Sequence, residues 1–317
     1  MILIVSELLD RSTNTVLDWC FNSLNIIRAN KNDLKIVSID YQKEEIIFQF
    51  REEFISSKNI TSFWYRRGYL ANDYSINNNN KDLEYLIYSH LDSEWNEIIR
   101  FFTQIFVNNK VKSLGSYQVK DQKLAQLKHA QKVGLRIPKT FITSSKEDLL
   151  LRKKNCDNNL ITKGISASPS FTFDNISLEG YTELVSSEFI QSLPDTFFPS
   201  LFQESIEKLY ELRIFYLKEK FYSMAIFSQN NLQTKIDVRK YDDSKPNRTV
   251  PYQLPKSIEE KLNKFMVNMG LDTGSIDMLV DRNNDFYFLE VNPNGQFGMV
   301  STPCNYYIER EIAKELI

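Results

Sequence analysis

Three oxygen-bearing side chains near the C-terminal end, Asp277, Glu290 and Asn292, have the types and spacing to hold a hard cation. They lie on two short apolar runs, Ile276–Val280 and Phe286–Val291, separated by the polar turn Arg282–Asp285. Two such runs across a four-residue loop predict a β-hairpin. Side chains alternate along a strand, so Glu290 and Asn292 share one face. The loop length permits Asp277 to pair opposite Glu290, which aims all three groups into one pocket. Apolar residues on both faces predict burial, and Pro293 ends the second strand. Buried carboxylates are costly unless a cation or donor compensates them. Two acids and an amide suit Mg²⁺, which is commonly held by one or two carboxylates plus substrate phosphates. A solvent-facing acidic strand is the competing reading.

Other charged groups stand at strand ends. Leu160-Ile-Thr-Lys-Gly164 is a short apolar run closed by Lys163, ahead of a loop with Ser166, Ser168 and Ser170. A lysine there can hold nucleotide phosphates as a point charge, or it is an ordinary surface lysine. Ser62-Phe-Trp-Tyr-Arg-Arg-Gly68 is an aromatic strand that delivers Arg66 and Arg67. Neighbouring side chains face opposite ways, so at most one of the two faces a given cleft. Edge-strand aromatics with solvated arginines are the alternative. Tyr210–Leu217 and Phe221–Phe227 predict a second hairpin across Lys218–Lys220. Alternation puts Glu211 and Arg213 on one side of it, where each stabilises the other's charge.

The elements that must position these groups read as follows. Met1–Val5 is a buried strand, Asp10–Thr15 a polar loop, and Val16–Ile27 has helical spacing. Lys35–Ile39 and Glu45–Phe50 are strand-like, giving a small open α/β lobe. Leu83–Val107 is one long helix or two shorter ones. A lobe boundary is expected at Lys110–Tyr117, then an amphipathic helix over Asp121–Val133 capped by Gly134. A further helix, Ser257–Met269, leads into the metal hairpin.

Composition narrows the chemistry. The 317 residues exceed one average domain, so two or three lobes are expected. A net charge of −2 gives no reason to expect nucleic-acid binding. With 9 glycines there is no glycine-rich phosphate loop, which argues against P-loop and kinase sites. Only two histidines, His90 and His129, are present, so His-based catalysis has little to draw on. Cys20, Cys156 and Cys304 are far apart and form neither a metal spacing nor a disulfide framework, which suits a reducing cytosol. No apolar run reaches the roughly 18 residues of a membrane span, and Met1–Val5 lacks the basic flank of a signal peptide.

The hairpin resembles the metal-binding hairpin of the ATP-grasp ligases, D-x-x-x…(F/L)-x-E-x-N-P. Lys123, Gln126, Leu127, Ala130, Gly134, Leu135, Pro138 and Thr140 resemble the family's run K-x-x-Q-L…A…G-L-x-I-P-x-T. The order Lys123, Lys163, Gln203, Glu204, Glu211, Arg239, Asp277, Glu290, Asn292 matches the family across residues 110–300. The resemblance implies an α/β (α+β) ATP-grasp fold. Residues 1–112 would be a pre-ATP-grasp lobe, 113–200 the central lobe and 201–317 the C-terminal lobe with the metal site. ATP would lie between the last two, against Lys123, Lys163, the hinge Gln203, Glu204 and Ile206, the ribose-facing Glu211 and the phosphate-facing Arg239. Arg213 and Arg239 would be catalytic, and two Mg²⁺ ions would sit on Asp277, Glu290 and Asn292. Val238 stands where relatives often carry Trp, which weakens the match around Arg239.

Two details narrow the resemblance further. Trp64-Tyr-Arg-Arg67 looks like the W-Y-R-R of the microviridin-type ligases, the graspetide synthetases. The stretch Glu290–Tyr306 looks like the grasp-with-spasm maturases. Such enzymes join Asp or Glu side chains of a ribosomal precursor peptide to Thr or Ser hydroxyls, or to Lys amines. The partners implied are a leader-plus-core peptide, a SPASM-domain protein and a second copy in a homodimer. Arg66 or Arg67 would hold the acidic core residue. Exposed aromatics of Leu212–Phe227 and the polar stretch Ser228–Arg248 would dock the leader. Two other classes stand beside this one. They are a ligase adding an amino acid to a small molecule or protein C-terminus, like the glutamate ligases of the same fold, and a non-catalytic nucleotide- or peptide-binding module.

Overall fold

Apolar, β-branched runs in the first hundred residues build a parallel sheet buried on both faces. The computed structural model describes the chain except residues 22–24, 32, 69, 71–74, 77–79, 109–110, 116–122, 158, 167–169, 174–175 and 230–245. The first lobe comprises β1 (Ile2–Val5), α1 (Arg11–Trp19), β2 (Ile26–Ala29), β3 (Leu34–Asp40), β4 (Glu45–Phe50), β5 (Glu53–Ser56), β6 (Ser62–Tyr65), α2 (Lys81–Asn108) and β7 (Lys112–Leu114). Strands run in the order β2-β1-β6-β7, all parallel, while β3-β4-β5 form a separate antiparallel meander. Leu3, Val5, Phe63 and Tyr65 pack on α2 through Ile99, Phe102 and Phe106. Ile2, Ile4 and Trp64 face the other way, toward α1 and the C-terminal lobe.

Three local expectations change here. Asp10 is not in a loop: its carboxylate accepts the Thr13 N–H at 3.0 Å, so α1 starts at Arg11. Helical spacing does not run to Ile27, because Ile26 and Ile27 pair with Ile2 and Leu3 as a strand. β6 is an interior strand between β1 and β7, with Trp64 buried, which removes the edge-strand reading of its aromatics. α2 is a single helix.

The central segment contains α3 (Lys123–Lys132), β8 (Thr140–Ser145), α4 (Lys146–Lys154), β9 (Leu160–Thr162), β10 (Ser170–Phe173), β11 (Ile176–Glu179), β12 (Glu183–Leu184), α5 (Ser187–Ser192) and β13 (Thr196–Glu204). β12-β9-β13-β8 form an antiparallel sheet. Its Leu160 and Phe202 face is covered by Leu149, Val185 and Ile190. By alternation the opposite face carries Thr140, Ile142, Ile161, Leu201 and Gln203.

The C-terminal lobe holds β14 (Lys208–Leu217), β15 (Lys220–Phe227), β16 (Arg248–Tyr252), α6 (Lys256–Asn268), β17 (Thr273–Asp281), β18 (Phe286–Asn292), α7 (Gly298–Cys304) and α8 (Ile308–Leu316). Its sheet order is β16-β15-β14-β17-β18. Leu212, Ile214 and Tyr216 alternate onto one face, packed on α6 (Leu262, Phe265) and on α3 (Leu127, Ala130). Phe215 and Leu217 alternate onto the other, against Phe297, Val300 and Ile312. The stretch after β18 therefore carries two helices, each with one face packed into the core.

Gly115 joins the first lobe to this sheet. Its φ of +74° suits glycine, and a Cβ there would lie 2.1 Å from the Tyr65 carbonyl oxygen. Its N–H donates to Asp272 Oδ1 at 3.0 Å. Burial raises the Asp272 carboxyl above its ordinary value, against the pull of that N–H and of Lys218. A carboxyl raised on folding favours the native state at low pH and loses that advantage as pH rises through its folded pKa. Asp272→Asn keeps the acceptor but not the charge. Its melting temperature should therefore gain on the wild type as pH rises from below the free carboxyl value of about 3.9 through the folded value. A constant offset between the two melting curves would contradict this reading of Asp272.

Candidate active site

β17 and β18 pair with Asp277 opposite Glu290, as expected, and Ser275 opposite Asn292, although next to the turn the pairing is offset by one residue and a bulge at Leu289 takes up the difference. The turn is fixed by Asp281, whose Oδ1 accepts the N–H groups of Asn283 and Asp285, each at 2.9 Å. On the far side of β17, Asp277 lies opposite Arg213 of β14. Glu211, Arg213, Asp277, Glu290 and Asn292 thus share one face of the sheet. The same face turns apolar at Phe215 and Leu217, so the polar groups occupy only one end of it.

The two carboxylates are compensated from different elements. Arg213 Nη1 lies 2.6 Å from Asp277 Oδ1 and 2.7 Å from Oδ2. Lys123 Nζ of α3 lies 3.0 Å from Glu290 Oε2 and also donates to the Gly164 carbonyl at 3.4 Å. Burial, with Glu290 and Glu211 nearby, pushes the Asp277 carboxyl up to about 7, although Arg213 and Lys163 oppose the shift. Burial would raise Glu290 as well, but Lys123, Lys163 and Arg213 outweigh it and hold Glu290 below the ordinary carboxylate range. The expected Glu211–Arg213 pairing is not formed. Arg213 turns to Asp277, and Glu211 pairs with Lys208 and accepts the Ser228 hydroxyl at 3.2 Å. A register shift between Lys208 and Tyr210 brings Lys208 onto the Glu211 face, so simple alternation missed it.

Lys163 follows β9 and acts on both Asp277 and Glu290. With Lys123 bonded to both Glu290 and the Gly164 carbonyl, the end of β9 lies beside the acidic end of the C-terminal sheet. Gln203 lies on the face of the central sheet opposite Phe202, and its Nε2 donates to Thr140 Oγ1 at 2.8 Å. Its Oε1 is buried and has no hydrogen-bond partner among the described residues. Glu204 is tied instead to Lys139, by an N–H bond at 2.8 Å and a longer side-chain contact at 3.7 Å. The Ile206 carbonyl accepts the Lys208 N–H at 2.8 Å. Ser168 and Arg239 lie outside the described residues, as does most of Ser228–Arg248.

These residues fit a magnesium–nucleotide group. Among the described residues no cluster of three or more His, Cys, Asp or Glu could hold a metal alone. Two carboxylates and the Asn292 amide leave further ligands to phosphates and water, as Mg²⁺ prefers. Asn292 Oδ1 accepts the Asn294 N–H at 3.0 Å, which shapes the loop, and a carbonyl oxygen retains a second lone pair.

The arginines after β6 lie where the strand order reverses about β1, at the carboxyl end of the parallel sheet, a usual place for ligand binding. Arg66 is 4% exposed, 3.3 Å from Asp10 Oδ2, and donates to the Asn294 carbonyl at 2.6 Å. Burial lowers its pKa, opposed by Asp10. It ties the first lobe to the loop after the metal hairpin. Arg67 is more open, with its side chain 35% exposed and longer contacts of 3.8 Å to Glu7 and Asp10. The hairpin β14–β15 does not display the aromatics expected of it. Phe215 and Tyr216 are buried, and Phe227 is its one exposed aromatic.

No protein-family model and no curated protein matches this chain. Solved structures do. A Chryseobacterium gregarium RiPP-associated ATP-grasp ligase, in complex with ADP and a leader and core peptide, is 26% identical with a TM-score of 0.78, covering 99% of this chain and 94% of that one. The macrocyclase MdnC from Microcystis aeruginosa MRC, bound with precursor peptide MdnA, is 24% identical with a TM-score of 0.78, covering 99% and 98%. The ATP-grasp ligase PsnB, complexed with a phosphomimetic variant of a minimal precursor, Mg and ADP, is 13% identical with a TM-score of 0.72, covering 99% and 97%. The acidic hairpin, the lysine-bearing central sheet and these full-length matches agree: the chain has the ATP-grasp ligase fold, in the form shared by RiPP-associated ligases and macrocyclases.

Proposed function

We propose that the chain is an ATP-dependent ligase that cross-links a ribosomally made precursor peptide through its Asp or Glu side chains. The observation that carries this reading is the paired Asp277 and Glu290, met by Arg213, Lys123 and Lys163 from three separate elements. Such a face binds a polyanion with its counter-ions and offers no nucleophile of its own. The full-length similarity to ligases solved with precursor peptides supports a peptide substrate.

In this reading the residues take the following roles. Asp277, Glu290 and Asn292 would hold magnesium, two ions in this reading, which supplies charge neutralisation to the triphosphate. Lys163 and Lys123 contact phosphate oxygens, and Arg213 meets the charge that develops on the transferred group, with Arg239 a second candidate for that role. Gln203, Glu204 and Ile206 line the adenine side, and Glu211 faces the ribose. A peptide carboxylate, oriented by Arg67 at the carboxyl end of the first sheet, attacks the γ-phosphorus. ADP leaves and an acyl phosphate forms. A Thr or Ser hydroxyl, or a Lys amine, then attacks the acyl carbon, phosphate departs, and an ester or amide remains. A leader segment supplies affinity away from the reacting groups, so the core can shift between rounds. A SPASM-domain partner and a homodimer belong to this reading. So does a cytoplasmic setting, which the three buried, unpaired cysteines suit.

Lys163→Ala should weaken ATP binding about tenfold, the loss of one charge-assisted contact. Unchanged affinity by calorimetry would return Lys163 to a surface role. Asp277→Asn and Glu290→Gln should each lower turnover by at least about a hundredfold while melting cooperatively; wild-type product formation by either would remove the metal assignment. With ATP and Mg²⁺, product masses should fall by one water per ring, and a leaderless core should react far more slowly. Equal activity on free amino acids would point to a small-substrate ligase.

A further inference from the structure

β18 is the outer strand of the C-terminal sheet, and among the described residues its far edge meets no further strand, only an isolated bridge between Tyr287 and Arg136. Backbone groups on such an edge need other partners. One is a backbone contact: the Phe288 N–H donates to the Arg136 carbonyl at 2.8 Å. The other is a single side chain. The Val291 N–H donates to Gln126 Oε1 at 2.9 Å, and Gln126 Nε2 donates to the Val291 carbonyl at 2.9 Å. Gln126 is fully buried, at 0% exposure. Its amide imitates a neighbouring strand at one residue only, and that residue stands between Glu290 and Asn292.

The position matters because the ladder on the inner side is broken there. Asp277 pairs with Glu290, but Met278 pairs with Phe288, so Leu289 is an extra residue in β18. A bulge bends its strand and disrupts local pairing. Glu290 and Val291 keep their inner partners Asp277 and Ile276, and the extra residue stands immediately before Glu290. The Val291 N–H belongs to the peptide unit that begins at Glu290, so Gln126 fixes the plane from which the Glu290 side chain projects. Lys123, one turn earlier on the same helix, meets the Glu290 carboxylate. Leu127 and Ala130 anchor that helix in the core. One rigid helix thus holds both the backbone and the charge of the same residue.

We propose that Gln126 is a positioning residue for Glu290, acting through the Val291 backbone and touching no substrate. The proposal rests on the reading of Asp277 and Glu290 as the magnesium site. Gln126→Met fills a similar volume and can make neither bond, whereas Gln126→Glu keeps an acceptor for the Val291 N–H and, when ionised, loses the donor. The measurements are amide hydrogen exchange at Val291, calorimetric binding of ADP as a function of Mg²⁺, and kcat and KM for the peptide. In Gln126→Met, Val291 should exchange about tenfold faster, ADP binding should need about tenfold more Mg²⁺, and kcat should fall with peptide KM unchanged. Gln126→Glu should shift in the same direction. Wild-type magnesium dependence and kcat in a variant with fast Val291 exchange would overturn the proposal, as would unchanged exchange. If Gln126→Met does not melt cooperatively, the same readings on Gln126→Glu decide. A wild-type protein whose ADP binding ignores Mg²⁺ would instead strike the parent reading, and the exchange data would still judge the clamp.

Discussion

Two carboxylates held opposite each other on one strand pair set the terms for everything around them. Asp277 and Glu290 repel, and partial burial thins the water that would screen them. They persist because Arg213, Lys123 and Lys163 reach them from β14, from α3 and from the end of β9. The compensation is uneven. Glu290 stays below the carboxylate range, while Asp277 is pushed up to about 7. A magnesium–triphosphate group would give each side new partners, with the metal for the carboxylates and phosphate oxygens for the lysines. Three elements meet at one charge cluster.

The C-terminal sheet divides its labour along each strand as well as across its faces. β14 buries Leu212, Ile214 and Tyr216 on one side throughout. On the other side it is polar at Glu211 and Arg213, then apolar at Phe215 and Leu217. The apolar end is covered by α7, α8 and the first lobe, and the polar end is left for the ligand. Arg66 works at the border. Buried beside Asp10 and bonded to the Asn294 carbonyl, it fastens the loop after the metal hairpin to the first lobe. Its neighbour Arg67 remains partly open. Two adjacent arginines therefore do different work, although both lie beyond the end of β6 and both reach Asp10, so strand alternation is not what separates them.

Much of this was legible in the sequence, and the failures have physical causes. The β17–β18 hairpin and the pairing of Asp277 with Glu290 on one face follow from alternation and loop length, but the Leu289 bulge that sets this register beyond the turn does not. So does the hairpin β14–β15. The Glu211–Arg213 pairing failed because alternation says which face a side chain takes, not which partner it prefers. A bulge moved Lys208 to Glu211, and β17 brought Asp277 to Arg213. Asp10 was misread because a capping aspartate and a loop aspartate look alike until the Thr13 N–H is placed. The role of Gln126 depends on an edge strand packed against α3, a contact between residues 165 positions apart. Local patterns do not carry such contacts.

The central claim is that the enzyme activates a peptide carboxylate by phosphorylation. The direct measurement follows oxygen. A precursor peptide whose Asp and Glu side-chain carboxylates carry a heavy oxygen isotope is incubated with the protein, ATP and Mg²⁺, and the released phosphate is analysed by mass spectrometry. Acyl-phosphate chemistry predicts one labelled oxygen in the phosphate for each cross-link formed. Cross-linked product accompanied by unlabelled phosphate would contradict it.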